Sequence, residues 1–218
     1  MTQSVLLPED DVWRATDSER LSLADLLDDL TPQEWAAQSL CAGWTVRDVA
    51  AHLALSHTGV LAGAVGAVRA RGSFDRMVHD TAVRHAAEPT AVLVGQIRAM
   101  AGSRRHAPGI SHLEPLLDVL VHGQDIALPL GRPREVPVVP AAAAATRVWT
   151  YRWPWTIPFR ARERLRGLRL TATDVDWSVG EGARVEGPVG ALLLLLTGRT
   201  VAALPRLSGP GVRLVTAA

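Results

Sequence analysis

The chain has 218 residues, 48% of them hydrophobic, which is enough apolar material for one large domain or two small ones, and its formal net charge of +1 argues against nucleic acid as a partner. All 23 basic side chains are arginine, and the absence of lysine excludes a Schiff-base lysine, a P-loop lysine and a lysine general base. The single cysteine, Cys41, excludes an internal disulfide, a CxxC redox pair and a cysteine-rich zinc finger, so metal or acid–base chemistry falls to histidine and carboxylate.

The N-terminal stretch MTQSVLLPEDDVW has neither a basic n-region nor an apolar h-region, and reads as the start of a soluble cytoplasmic protein without a signal peptide. Residues 1–40 carry nine acids against Arg14 and Arg20. Within them, Leu21, Leu23, Leu26, Leu27 and Leu30 fall at helical spacing among charges, which predicts a helix over 18–30 closed by Thr31-Pro32. Thr45, preceded by Gly43-Trp44, can cap a second helix, with Asp48 in the first turn where the dipole favours an anion. That helix is expected to run through His52 to about Arg71, before Gly72-Ser73. A third is expected over 90–104 and a fourth over 110–128, before Pro129 and Gly131. Four such helices with short connections point to a bundle.

Composition shifts after Gly131. Residues 132–140 read as a linker, 141–150 as a helix, and 168–173, 175–179 and 183–186 as strands, with Gly180-Glu181-Gly182 as the turn into the third. Gly187-Pro188 opens a leucine-rich helix over 189–196, too short to span a bilayer, and a last strand is expected at 212–215. Residues 141–170 hold seven arginines against Glu163 alone, interleaved with Trp149, Tyr151, Trp153, Trp155 and Phe159. That stretch suits an inter-domain connector whose arginines meet the acidic N-terminal region, a lid, an anion-binding wall, or an interfacial membrane anchor.

Candidate metal ligands fall in two places. His52 shares a helical stripe with Val49, Leu53 and Ser56 and should point into the bundle. Asp118 and His122, four apart, share one face of the fourth helix. A carboxylate and an imidazole from one helix, with an imidazole from a facing one, can close around a single Zn²⁺-like ion and leave a fourth position open. Asp125, three residues beyond His122, can then take the ring's other N–H. Plainer readings stand beside this one. Glu114, Asp118, His122 and Asp125 follow the period of a solvated face, and a lone histidine on an apolar face is commonly a core residue.

The segments SLCAGWTVRDVAAHL (39–53) and LDVLVHGQDIA (117–127) resemble the two signature stretches of the mycothiol-dependent maleylpyruvate isomerase family, part of the DinB-like group of metal-binding helical bundles. LTATDVDW (170–177), VEGP (185–188) and LLLLTGR (193–199) are similar to its appended domain, which resembles sterol-carrier-type folds. The resemblance implies a mainly α fold: a DinB-like four-helix bundle over residues 1–135, followed by a small α+β domain over 136–218. It also implies His52, Asp118 and His122 as ligands of a divalent metal, Zn²⁺ foremost, with Asp125 behind His122 and mycothiol as cofactor. Two departures stand out. The glutamate usual in the family's fourth helix is Asp118 here, one methylene shorter. The arginine that some members use to hold the substrate carboxylate has no clear counterpart, because 74–89 matches poorly; Arg76 and Arg84 are the candidates, each equally readable as a surface arginine. His79 and His85 in that stretch read as exposed.

On this resemblance the metal lowers the pKa of a small-molecule thiol, whose thiolate adds to an unsaturated or otherwise electrophilic substrate. Rotation and elimination would give isomerisation, and retention of the adduct S-transfer. Cys41 is then not the nucleophile and reads as a small buried residue beside Trp44. The competing reading is a non-catalytic DinB-like protein binding metal or ligand in a regulatory or stress role, and a third is a peripheral membrane adaptor. Monomer and homodimer fit the sequence equally. Lysine and asparagine, both absent, share AT-rich codons, so the composition points to a GC-rich genome of the kind many mycothiol-using actinobacteria have.

Overall fold

A computed structural model of the chain describes residues 7–56, 74–106, 110–151 and 159–215. They fall into two compact units, one spanning Glu9–Arg134 and the other built on Glu135–Ala218 together with the segment before Glu9.

The first unit is helical: α1 (Glu9–Asp28), α2 (Pro32–Trp35), α3 (Val46–Leu55), α4 (Phe74–His85), α5 (Thr90–Ala99) and α6 (Leu113–Ala127). Helix α1 starts well before the leucine pattern, because Glu9, Asp10 and Asp11 occupy its first turn, where the exposed N–H groups favour negative charge. Its buried face carries Val12, Trp13, Thr16, Arg20, Leu23, Ala24 and Leu27 and packs against α5 and α6. Helix α3 packs on α4, α5 and α6, so α1 and α3 share the same two neighbours. Leu23, Leu27, Trp35, Val49, Leu53, Leu93, Ile97, Val119 and Ile126 fill the core between them. Helix α4 has no counterpart in the sequence-based reading, and α5 ends at Ala99, short of 104. The expected continuation of α3 to Arg71 lies outside the described residues.

The acids of α1 find their counter-charges within this unit. Arg98 reaches Asp25 at 2.6 Å and Asp28 at 2.9 Å, Arg104 reaches Asp10 at 2.7 Å, and Arg134 reaches Glu19 at 2.6 Å. Arg132 joins Asp29 at 3.0 Å to Glu34 at 2.8 Å, tying both ends of the α1–α2 connection to the chain after α6. Arg134 also lies across α6 at Gly123, where an added Cβ would come within 2.7 Å of its Nε. The glycine after His122 therefore makes room for a guanidinium that clamps α6 to α1.

The second unit contains α7 (Val138–Trp149), α8 (Ala161–Arg164), β1 (Leu168–Ala172), β2 (Ser178–Gly180), β3 (Ala183–Gly187), α9 (Val189–Leu196), α10 (Thr200–Ala203) and α11 (Val212–Val215). The sheet order is β2-β1-β3, with β2 antiparallel and β3 parallel to β1. Every residue of α9 is buried, and the small side chains of Ala141–Ala145, also buried, line the α7 helix it packs on. Side chains from elsewhere satisfy both ends of α9. Asp174 Oδ1 accepts from Val189 N at 2.9 Å, and Arg164 Nη2 donates to the carbonyls of Leu195 and Leu196 at 3.2 and 2.9 Å. Arg147 stacks on Tyr151 and Arg162 on Trp149, so these arginines cover buried aromatics of their own unit. The expectations for Trp153 and Trp155 lie outside the described residues.

Gly180-Glu181-Gly182 leads into β3 as expected; because β2 and β3 pair with opposite edges of β1, the connection steps across the start of β1. Gly180 and Gly182 have φ of 79° and 118°, and a Cβ on either would overlap the carbonyl oxygens of Leu168 and Gly167, respectively. Residues 212–215 form a helical turn and not a strand. The outer edge of β3 is already taken by Ser208, bridged to Glu186, and by Gly211, whose N–H donates to Arg184 O at 2.8 Å. Val212–Val215 is left to bond locally. No helix among the described residues is long and apolar enough to cross a membrane.

Gly182→Ala is expected to destabilise the second unit by about 1–3 kcal/mol, read as a fall in its thermal midpoint, because the substitution combines a left-handed backbone with an overlap that only backbone movement relieves. The Arg132–Glu34 contact carries a pH signature. Hydrogen bonds from Arg132 and from Thr31 hold the Glu34 carboxyl down from its ordinary 4.5 to about 2. A depressed folded-state pKa stabilises above the unfolded value and is lost as pH falls through the folded one. The stability difference between the native chain and Glu34→Gln should therefore be full at neutral pH and close between about pH 4.5 and pH 2 in denaturant titrations.

Candidate metal centre

The GWT segment sets the first histidine. Gly43, at φ 77°, closes a turn in which Trp44 N donates to Cys41 O at 3.0 Å. Thr45 then caps α3 in a capping box: its hydroxyl accepts from Asp48 N at 3.3 Å, and Asp48 Oδ2 accepts from Thr45 N at 2.8 Å. Ser39 N donates to Trp44 O, Val46 N to Ala37 O, and Leu40 N to Asp125 O on α6. The loop is thereby fastened to both helices that carry the candidate ligands. Seven residues after the cap, His52 is buried with the Trp44 ring edge-on at 5.5 Å.

On α6 the four-residue spacing brings Asp118 and His122 onto the face turned to His52. Asp118 Oδ1 lies 3.4 Å from His52 Nε2 and 3.4 Å from His122 Nε2, and the two imidazoles meet edge-to-face at 4.9 Å. One ligand atom from each of the three residues falls within 4.8 Å of the others. On the far side of the ring, His122 Nδ1 is 2.8 Å from Asp125 Oδ2, and Asp125 is completely buried. The acidic stripe of α6 is thus not a solvated face, since Asp125 points inward at a histidine.

The lone pairs decide what this arrangement suits. Asp125 Oδ2 can accept from His122 Nδ1–H, which turns Nε2 toward Asp118 Oδ1 at 3.4 Å. A proton on Nε2, or a cation held by both atoms, satisfies that contact. Two donors each about 2.0–2.1 Å from one tetrahedral ion are about 3.3–3.4 Å apart. Both ligand separations match that edge, and two imidazoles with one carboxylate form the donor set of an open zinc-type site.

Burial pushes the Asp118 carboxyl up, but the charge and hydrogen bond of His52, then His122 and Arg20, outweigh it, and the net shift is downward. The ionised form is therefore favoured. Arg20 is only 3% exposed and sits on the apolar stripe of α1, three residues before Leu23. Its Nη1 donates to Met100 O at 3.1 Å, with Asp17 at 3.7 Å. Burial weakens its hold on its proton, while Asp17 and Asp118 strengthen it.

The remaining sequence candidates divide. Arg84 is exposed, with a 3.4 Å contact to Thr81 on its own helix, and does not join the centre. Arg76 belongs to α4, but its side chain lies outside the described residues. His79 and His85 are half-buried and not exposed: His79 approaches the Trp44 ring at 6.0 Å, and His85 contacts Gln96 at 2.7 Å. Cys41 is corrected too. It is half-buried, and its Sγ donates to Asp125 Oδ2 at 3.1 Å. Sequence reasoning missed Arg20, although an arginine within a buried helical stripe was a readable signal.

Residues 16–114 match the family model described as "Mycothiol maleylpyruvate isomerase N-terminal domain". The match takes in His52 and stops short of Asp118. No curated protein matches the chain. Among solved structures, the chain is similar to the crystal structure of the mycothiol-dependent maleylpyruvate isomerase, with a TM-score of 0.61 at 13% identity, covering 88% of this chain and 90% of that one. A histidine-to-alanine mutant of that isomerase gives a TM-score of 0.59 at 12% identity, with the same coverage. The likeness extends the shared fold through both units, and the stretch 16–114 is similar to the mycothiol maleylpyruvate isomerase N-terminal domain.

Proposed function

We propose that the chain is a metal- and mycothiol-dependent enzyme of the maleylpyruvate isomerase type, acting as an isomerase or S-transferase on a small electrophilic acid. The observation that carries this is the convergence of His122 Nε2 and His52 Nε2 on Asp118 Oδ1, each at 3.4 Å. His52, Asp118 and His122 would hold a divalent ion, Zn²⁺ foremost. Bound there, such an ion supplies the Lewis acidity that deprotonates a coordinating thiol near neutral pH. The shorter Asp118 suffices, because its Oδ1 already lies equally close to both rings.

The chain's own residues supply the rest. Asp125 keeps the proton of His122 on Nδ1, so that Nε2 remains a donor to metal. Trp44 packs against His52 and shields it from water. The Arg20 charge favours the ionised Asp118 and adds a positive field suited to an anionic thiol and an acidic substrate. The partners are then a small thiol and a small electrophile, in a cytoplasmic setting. Non-catalytic binding of metal or ligand is the alternative, and turnover separates the two.

Purified protein should contain about one divalent ion per chain by elemental analysis, and His52→Ala, Asp118→Ala and His122→Ala should each lower that content sharply while the melting transition stays cooperative. A native chain without metal, or variants that keep it, would overturn the site. With mycothiol and an activated unsaturated acid, the loaded protein should turn over and lose that activity on chelation. Saturable thiol binding without product would favour the binding protein instead.

A further inference from the structure

We propose that Cys41 is a positioning residue for this centre: its thiol anchors the Asp125 oxygen that holds the His122 ring. The inference rests on the metal-site reading above. Asp125 Oδ2 lies 2.8 Å from His122 Nδ1 and accepts from Cys41 Sγ at 3.1 Å, so one carboxylate oxygen serves both side chains. A carboxylate turns easily about its last torsion, and Asp125 is 0% exposed, so bulk solvent does not fix its orientation. The S–H group is a weak donor, but here it comes from a rigid mount. Cys41 N donates to Ser39 Oγ at 3.1 Å, Cys41 O accepts from Trp44 N at 3.0 Å and from Gln38 Nε2 at 2.9 Å, and the neighbouring Leu40 N donates to Asp125 O at 3.0 Å.

The sulfur stands on the Nδ1 side of His122, at 3.8 Å, and Asp118 faces Nε2. Cys41 therefore acts through Asp125 and not as a ligand of the ion that Nε2 faces. Cys41, Asp125 and His122 also group as a set of metal-type donors, but His122 Nδ1 and Asp125 Oδ2 lie 2.8 Å apart, a hydrogen-bond distance shorter than the about 3.3 Å edge between two ligands of one tetrahedral ion. One loop thus sets both imidazoles, His52 through the Thr45 cap and His122 through Cys41 and Asp125.

The test is metal affinity of the full chain, measured by chelator competition with Zn²⁺, alongside the visible d–d bands of the Co²⁺-loaded protein. Cys41→Ala and Cys41→Val should weaken binding by roughly three- to tenfold, less than the 10–100-fold typical of losing a direct outer-shell partner, and should shift the Co²⁺ bands. Cys41→Ser, which restores a donor, should return both readouts close to native. Native affinity and bands in Cys41→Ala and Cys41→Val would overturn the proposal while leaving the metal site intact. So would equal weakening in all three variants with lowered melting temperatures, the mark of a packing role. A native chain that takes up neither ion would instead remove the metal-site reading, and this role with it.

Discussion

The hydrogen bond between His122 Nδ1 and the buried Asp125 carboxylate settles the polarity of the whole centre. With Nδ1 directed at Asp125, the other ring nitrogen faces Asp118, so the ring presents its Nε2 to the position that His52 also faces. The rest of the first unit keeps this arrangement from collapsing. Helix α6 is held to α1 by Arg134 across Gly123, and α3 is fastened to α6 by the loop that precedes it. Buried polar groups are costly unless every partner is in place, so a network of this kind also restricts how its helices can pack.

The site was partly legible in the sequence because two of its determinants are local. A cap and an i,i+4 spacing are properties of one helix: the stripe after the cap turns His52 inward, and the spacing puts Asp118 and His122 on one face without saying which way that face turns. The contacts that distinguish the site from a plain polar stripe are not local. Cys41 meets Asp125 across 84 positions, and Arg20 meets Met100 across 80. No periodicity in either segment encodes such a meeting. Cys41 was therefore read only as a small residue beside Trp44.

The fold shows the same division. Helices with a strong apolar period were readable, including the leucine run of α9, and α1 grew longer than its pattern because capping charge extended it. Helix α4 was unread: its polar composition, FDRMVHDTAVRH, gives a single-sequence reading little to separate it from a loop. The strand expected at 212–215 failed for a different reason. Its valines and leucine fit a strand by composition, but the sheet position they would have filled was occupied by a neighbouring stretch of the same chain. Glycines 180 and 182 were legible as a turn, while the direction of that turn depended on which edge of β1 remained open.

That occupied edge has a consequence for how the molecule behaves in a crowded solution. A sheet with free backbone groups along a long border is a template on which other chains can add strands and aggregate. Here Ser208 and Gly211 seal one border of the three-stranded sheet, and the other is β2, only three residues long and followed directly by a glycine-rich step. Such short or covered borders leave little room for intermolecular strand addition. The stretch that keeps 212–215 from joining the sheet as a strand thus also protects the sheet from recruiting strands from elsewhere.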